Sequence, residues 1–164
     1  EKTDAKLLLS NLQVVEICSD KNKTQKFFEE KGYSVTLLVW NKTNAIPLAN
    51  GTYHSNVEFI VCVREKGSTF NDLDISKKSK VISMPYPSEG RIHPTQKPIE
   101  LIERLLAIKS IPNDLVLDPF SGSGTTAIAC HRNDRRFICI EKDPFYYQKS
   151  SERIKWEQAQ PKLF

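Results

Sequence analysis

An α/β fold with parallel strands is predicted by three observations along this chain of 164 residues. A compact apolar run, Leu115-Val116-Leu117, breaks into the glycine turn Ser121-Gly122-Ser123-Gly124 and then into a helical pattern. A second apolar run, Phe137 to Ile140, follows that helix, and a further helix begins at Asp143-Pro144. Short apolar runs without alternation suit strands covered on both faces, the habit of parallel sheets. The order strand, helix, strand, helix then implies right-handed crossovers.

Each element has its own local reason. Leu7 to Leu12 reads as a short helix or strand end and Val14 to Cys18 as a strand, with Asp20 and Asn22 marking a turn or cap. Lys23 to Lys31 is expected as a helix that turns Phe27 and Phe28 inward and stops at Gly32. Ser34 to Trp40 and Val57 to Arg64 read as an antiparallel hairpin, joined by a loop, Asn41 to Ser55, too long for a tight turn. Glu65 to Arg91 is irregular, and Met84-Pro85-Tyr86-Pro87 within it reads as an extended linker. From Pro98 to Lys109, Ile99, Ile102, Leu105 and Leu106 fall on one helical face with Glu100, Glu103 and Arg104 opposite. Pro112-Asn113-Asp114 turns the chain into the central strand, and the helix after the glycine turn is expected to run to about His131. Ala127, Ala129 and Cys130 let that helix approach the sheet, and Asn133-Asp134 turns the chain back. Asp143 is a capping residue for a last helix that opens with Pro144 and carries Tyr146, Tyr147, Ile154 and Trp156.

The ligand of the glycine turn follows from a comparison of chemistries. A triphosphate loop ends in Gly-Lys-Ser/Thr, whereas Gly124 is followed by Thr125. A dinucleotide loop survives weakly, because Ala127 stands where a looser form of the pattern admits alanine, so an NAD-binding enzyme is one alternative. Asp118, at the carboxyl edge of its strand, would repel a pyrophosphate but suits a sulfonium or ammonium group. Glu141, seventeen positions after Gly124 at the end of the second run, can accept both hydroxyls of a ribose. Gly122 and Gly124 are expected to let a ligand reach the backbone. Together these features describe a nucleoside without a pyrophosphate.

Asp118-Pro119-Phe120-Ser121-Gly122-Ser123-Gly124-Thr125-Thr126 closely resembles the S-adenosylmethionine loop of DNA amino-methyltransferases. His93-Pro94-Thr95-Gln96-Lys97-Pro98 resembles the companion cofactor motif of their circularly permuted beta group. The resemblance runs from about Val14 to the end. It implies a Rossmann-like methyltransferase sheet with an antiparallel edge hairpin, circularly permuted and lacking its upstream strands. It implies a single, incomplete domain over residues 1–164, with a short target-recognition insert or linker over 65–92 and a cofactor-binding part over 93–164. Asp118 and Phe120 would meet the methionine end of the cofactor, Glu141 the ribose, and Ser121 through Thr126 would form the loop. Thr95 and Lys97, in the motif opened by His93, would close the pocket beside the methionine carboxylate.

The activity so implied is site-specific methylation of an exocyclic amine of double-stranded DNA, adenine N6 favoured over cytosine N4, as in restriction-modification systems. Enzymes of this family carry Asp-, Asn- or Ser-Pro-Pro-aromatic, which positions the amine of a flipped base. No such tetrapeptide occurs in these residues, so the catalytic residues are unassigned and methyl transfer by this chain alone is not expected. A remnant that binds cofactor without chemistry, or one subunit of a split enzyme, is the second reading. C5-cytosine chemistry needs a Pro-Cys nucleophile, and none of the four cysteines follows a proline.

Composition bounds the rest. The balance of 24 basic and 20 acidic residues, a net charge of +4, leans only mildly towards a polyanion. Lys42, Lys77, Lys78, Lys80 and Arg91 are the candidate phosphate contacts, each weighed against a plain solvated charge. Trp40, Lys42, His54 and Glu58 loosely match the family's target-base side, but packing is the preferred role for each. Cys18, Cys62, Cys130 and Cys139 form no C-x-x-C pair and read as buried thiols, and no metal site is expected. No run approaches a membrane span and no signal peptide opens the chain, so a cytoplasmic location away from membranes is expected. A sheet lacking a central strand would expose two apolar edges, which invites pairing with a second copy. The tail Gln160-Pro161-Lys162-Leu163-Phe164 resembles peptides that dock on sliding clamps, although local packing of Leu163 and Phe164 is preferred.

Overall fold

In chain order the elements are β1 (Gln13–Cys18), α1 (Lys21–Glu30), β2 (Ser34–Lys42), β3 (Val57–Arg64), a short 3-10 turn (Ile75–Lys78) and β4 (Val81–Met84). They continue with α2 (Ile99–Lys109), β5 (Leu115–Asp118), α3 (Thr125–Arg132), β6 (Arg136–Cys139) and α4 (Pro144–Ala159). A computed structural model describes residues 13–18, 21–45, 56–65, 67–68, 70–72 and 74–161. The expected features at Leu7 to Leu12, Asp20, His54 and the last three residues lie outside them. The chain divides into two compact units, one drawn from Glu1–Phe70 and Lys78–Met84, the other from Asn71–Lys77 and Pro85–Phe164.

The first unit is a four-stranded sheet in the order β1-β3-β2-β4. β3 lies inside it, antiparallel to both β1 and β2, with Cys62 opposite Val15 and Thr36. Its run Ile60-Val61-Cys62-Val63 is buried throughout, at 2% exposure or less. A strand flanked on both edges and covered on both faces has no solvent face to decorate with polar residues, which explains the lack of alternation. The expected hairpin of β2 and β3 is therefore present, but β3 is interior rather than an edge.

β4 corrects a second expectation. Val81–Met84 is not linker but a strand parallel to β2, with Trp40 opposite Ile82. Four residues are too few for a hydrophobic period, so only the partner strand reveals it. Trp40 is fully buried, and its indole Nε1 donates to the Met84 carbonyl at 3.1 Å. That bond satisfies the polar end of a ring that otherwise contributes apolar area to the core. α1 ends as expected at Gly32, whose φ of +81° closes the helix. Gly32 N–H donates to the Glu29 carbonyl at 3.0 Å and Tyr33 N–H to the Phe28 carbonyl at 3.1 Å. These are the paired bonds of a glycine-closed helix end. Phe27, expected inward, is 49% exposed and packs edge-on against Phe28 at 5.1 Å.

The second unit pairs β5 and β6 in parallel, with Val116 opposite Phe137 and Asp118 opposite Cys139. Val116 and Phe137 pack on a core formed by Leu106 of α2 with Ala129 and Cys130 of α3. Ala129 and Cys130 are 0% exposed, so the small residues of α3 do allow its close approach. The opposite face departs from the expectation of double coverage: Leu115 is 40%, Ile138 50% and Ile140 52% exposed. α2 is also more buried than its amphipathic pattern suggested, since Leu101, outside the expected stripe, is 0% exposed. Two tight turns hold the parallel pair in register through Asn113, at φ +70°, and Asp134, at φ +58°. Asn113 N–H donates to the Asp134 carbonyl at 2.7 Å, and Arg136 N–H to the Asp114 carbonyl at 2.9 Å. Asn and Asp tolerate this left-handed backbone better than other side chains do.

Candidate functional site

The carboxyl end of β5 leads directly into the candidate site. Asp118 Oδ1 accepts the Phe120 N–H at 3.0 Å, a local turn that leaves the Phe120 ring 67% exposed. The ladder continues past the strands, because Ile140 N–H donates to the Asp118 carbonyl at 2.8 Å and Ser121 N–H to the Ile140 carbonyl at 2.9 Å. Gly124 N–H then closes the turn on the Ser121 carbonyl at 2.8 Å, and α3 starts.

Glu141 grips this loop from β6. Its Oε2 accepts the Gly122 N–H at 2.7 Å and its Oε1 the Asp143 N–H at 2.9 Å. An ionised carboxylate has about four acceptor sites, so two bonds to backbone leave capacity for hydroxyl donors. Asp143 in turn caps α4 as expected, accepting the Phe145 and Tyr146 N–H groups at 2.9 and 3.3 Å.

The His93 to Pro98 segment, far upstream in sequence, lies against the same loop. A Cβ on Gly122 would sit 3.4 Å from the His93 ring. The Thr125 hydroxyl reaches the Lys97 carbonyl at 3.4 Å. His93 is itself fixed, its Nδ1 meeting the Thr95 N–H at 3.2 Å and Thr95 Oγ1 at 3.0 Å, with its ring edge-on to Tyr146 at 4.3 Å. Beside this turn opens a cavity of about 460 Å³ lined by Ser88, Gly90, Arg91, Ile92, His93 and Pro94.

The loop residues divide their work differently from the expectation. Gly124 also packs on α4: at φ +72°, its missing Cβ would meet Ile154 Cδ1 at 3.0 Å and Ser150 Cβ at 3.2 Å. Ser121, Ser123 and Thr125 are buried, and the Ser123 and Thr125 hydroxyls bond each other at 2.9 Å. These residues set the shape of the loop from within, while Asp118, Phe120 and Glu141 stand at its outer end. Thr126, half-buried in the first turn of α3, completes the expected run.

The candidate phosphate contacts are less uniform. Lys42 is ion-paired with Glu58 at 2.8 Å, both side chains below 20% exposure, and its ammonium lies 5.5 Å from the Trp40 ring centroid. With Trp40 opposite Glu58 across β2 and β3, this is a diagonal pair on one sheet face. Trp40 is thus part of the core, and Lys42 and Glu58 balance each other's charge in the sheet. Lys77 and Lys80 are exposed, Lys78 is half-buried, and exposed Arg91 lies over the Tyr86 ring at 5.1 Å while donating to the Tyr86 hydroxyl at 3.0 Å.

Two thiols lie behind the loop, Cys130 in α3 and Cys139 opposite Asp118 in β6. Burial pushes the Cys139 thiol up to about 12 and that of Cys130 up to about 11, from an ordinary 9.0, with the Asp118 carboxylate adding to both shifts. Neither is a nucleophile near neutrality, since the thiolate is the reactive form. Because these groups hold protons in the folded unit that the unfolded chain gives up near pH 9, their contribution to stability is complete below that pH. It is lost as pH rises from about 9 towards 12. The urea midpoint of the second unit is therefore expected to fall between pH 8 and pH 10, and a Cys130→Ala, Cys139→Ala variant is expected to lose part of that fall.

Sequence reasoning missed Arg153 of α4, whose guanidinium reaches the Ser123 carbonyl at 2.9 Å and Thr125 Oγ1 at 3.3 Å. Its place on the polar side of a helix pattern carries no local sign of a loop twenty-eight to thirty residues upstream.

Among the described residues no helix is long and apolar enough to cross a membrane. The chain is similar to known DNA-modifying proteins. The type II methyltransferase M2.LlaDCHI of Lactococcus lactis subsp. cremoris is 32% identical over 143 residues, covering 77% of this chain and 53% of that protein. M2.DpnII of Streptococcus pneumoniae is 29% identical over 145 residues, covering 79% and 54%. The chain thus spans about half the length of these curated relatives. Among solved structures, the M1.HpyAVI–SAM complex superposes with a TM-score of 0.72 at 35% identity, covering 87% of this chain and 74% of that one. The model of the DNA methylase family matches residues 10–152, most of the sequence, and with the glycine loop, the paired His93 motif and the mixed α/β architecture in place, the chain belongs to the N6/N4 DNA methylase family.

Proposed function

We propose that this chain carries the S-adenosylmethionine pocket, over residues 93–164, of a site-specific DNA amino-methyltransferase acting on double-stranded DNA in the cytoplasm. The transfer would go to an exocyclic amine, adenine N6 ahead of cytosine N4. The observation that carries this reading is the meeting of two distant segments: the His93 ring lies against Gly122, and Thr125 bonds to the Lys97 carbonyl. The donor set also fits the cofactor rather than a dinucleotide. Carboxylates Asp118 and Glu141 and the exposed Phe120 ring flank the loop, which suits a cationic sulfonium and a ribose diol better than a pyrophosphate. Bound there, S-adenosylmethionine supplies an electrophilic methyl group. Asp118 and Phe120 would hold the methionine end, with Thr95 and Lys97 beside its carboxylate, and Glu141 would hold the ribose. Lys77, Lys78, Lys80 and Arg91, all within residues 65–92, would contribute sequence-independent phosphate contacts.

Titration calorimetry with S-adenosylhomocysteine and with NAD tests the pocket. Binding of S-adenosylhomocysteine and not NAD is expected, and the reverse overturns the reading. Glu141→Ala is expected to weaken binding by about 1.5–3 kcal/mol, the range for hydrogen bonds to charged groups. Glu141→Gln is expected to lose less. Its amide retains an oxygen for one of the two backbone N–H groups, but its NH2 then faces the other donor. Unchanged affinity in both folded variants would remove Glu141 from the ribose.

A further inference from the structure

The loop and the His93 motif are joined by a hydrogen-bond network into which Arg153 donates. Arg153 can only donate, so its guanidinium occupies an acceptor position of Thr125 Oγ1 at 3.3 Å and the Ser123 carbonyl at 2.9 Å. Thr125 Oγ1 has one proton, and two acceptors lie within its reach, the Lys97 carbonyl at 3.4 Å and the Ser123 hydroxyl at 2.9 Å. When Thr125 donates to Lys97, the Ser123 hydroxyl donates to the second lone pair of Thr125. One hydroxyl, oriented by one cation, thereby ties α4, the glycine loop and the Lys97 backbone together, with Ser123 and Thr125 both at 4% exposure.

We infer that Arg153 is a positioning residue for the cofactor site, holding the glycine loop and the Lys97 segment in their ligand-ready arrangement without touching the ligand. This rests on the cofactor reading above. The guanidinium is suited to the task, since its planar fork loses little freedom per bond formed. Its partial burial, which lowers its pKa from the ordinary value, takes some of its hydration away where its bonds to the loop replace it. The neighbouring Arg132, ion-paired with Glu157 at 2.6 Å, gives a comparison on the same helix pair: its own bonds reach neither the loop nor Lys97, and it shares with Arg153 only the charge of Glu157.

The test compares S-adenosylhomocysteine affinity, thermal midpoint and amide hydrogen exchange of Gly122 to Thr126 in the full chain with Arg153→Met, Arg153→Lys and Arg132→Met. Arg153→Met is expected to weaken binding at least tenfold and to speed exchange at those amides. Arg153→Lys should recover part of both, because one ammonium can still reach one of the two acceptors. Arg132→Met should stay within twofold in affinity whatever its midpoint. If Arg153→Met does not fold, the charge-conserving Arg153→Lys carries the comparison with a smaller expected loss. Wild-type affinity in a folded Arg153 variant, with loop exchange unchanged, overturns the inference while leaving the pocket intact. Failure of the unaltered chain to bind S-adenosylhomocysteine overturns the pocket and this inference with it.

Discussion

Incubated with tritiated S-adenosylmethionine and mixed-sequence DNA, the 164-residue chain is expected to incorporate no methyl group above background. Methyl transfer to an amine needs the acceptor nitrogen aimed at the methyl, and the Pro-Pro-aromatic tetrapeptide that would aim it is missing from these residues. The nearest stand-in, Met84-Pro85-Tyr86, is otherwise engaged. The Met84 carbonyl accepts the Trp40 indole N–H and belongs to β4, while the Tyr86 hydroxyl donates to the Pro94 carbonyl and Arg91 lies over the Tyr86 ring. Lost positioning of a reactant can forfeit about 7–11 kcal/mol, five or more decades in rate. A family member that carries the tetrapeptide serves as the positive control. Robust incorporation by this chain would place the acceptor site at Tyr86, and Tyr86→Ala would then abolish it.

Gly124→Val is expected to destabilise the second unit by about 2–5 kcal/mol and to remove measurable S-adenosylhomocysteine binding. Two costs add. A side chain at φ +72° is strained by about 1–2 kcal/mol. Its Cβ would also press on Ile154 and Ser150 at 3.0 and 3.2 Å, and overpacking of this kind costs about 1–3 kcal/mol. α4 would have to withdraw, carrying the Asp143 cap and Arg153 with it. Gly122→Ala is the contrast, since its Cβ would find the His93 ring at ordinary contact, 3.4 Å, and only the backbone strain at φ +49° remains. Urea midpoints of the two variants measure the difference. Equal losses would show that contact with α4 does not constrain Gly124.

The glycine loop shows why local features were legible. A run of apolar residues, a glycine pair and a polar strand end lie within a dozen positions, and each acts through its own dihedral preferences or its immediate neighbours. The same holds for Gly32 closing α1, for Asn113 and Asp134 in left-handed turns, and for Asp143-Pro144 opening α4. Gly32 and Asp143 act through bonds spanning two to five residues, and Asn113 and Asp134 through a left-handed backbone their side chains tolerate, so the pattern is present before the chain folds.

What the sequence determined by itself was therefore the α/β class, most of the elements to within a few residues, and the two motifs of the candidate pocket. The tertiary structure alone decided that Val81–Met84 is a strand, because four residues become one only when β2 supplies parallel partners. It decided that Trp40 is core and that Lys42 is neutralised by Glu58, since burial and pairing depend on a strand sixteen to eighteen residues away in sequence. It also assigned Gly124 to packing against α4 and brought Arg153 to the loop. These outcomes depend on which distant surfaces meet, and the cost of closing long stretches of chain is repaid by the whole assembled unit, so no local pattern records them.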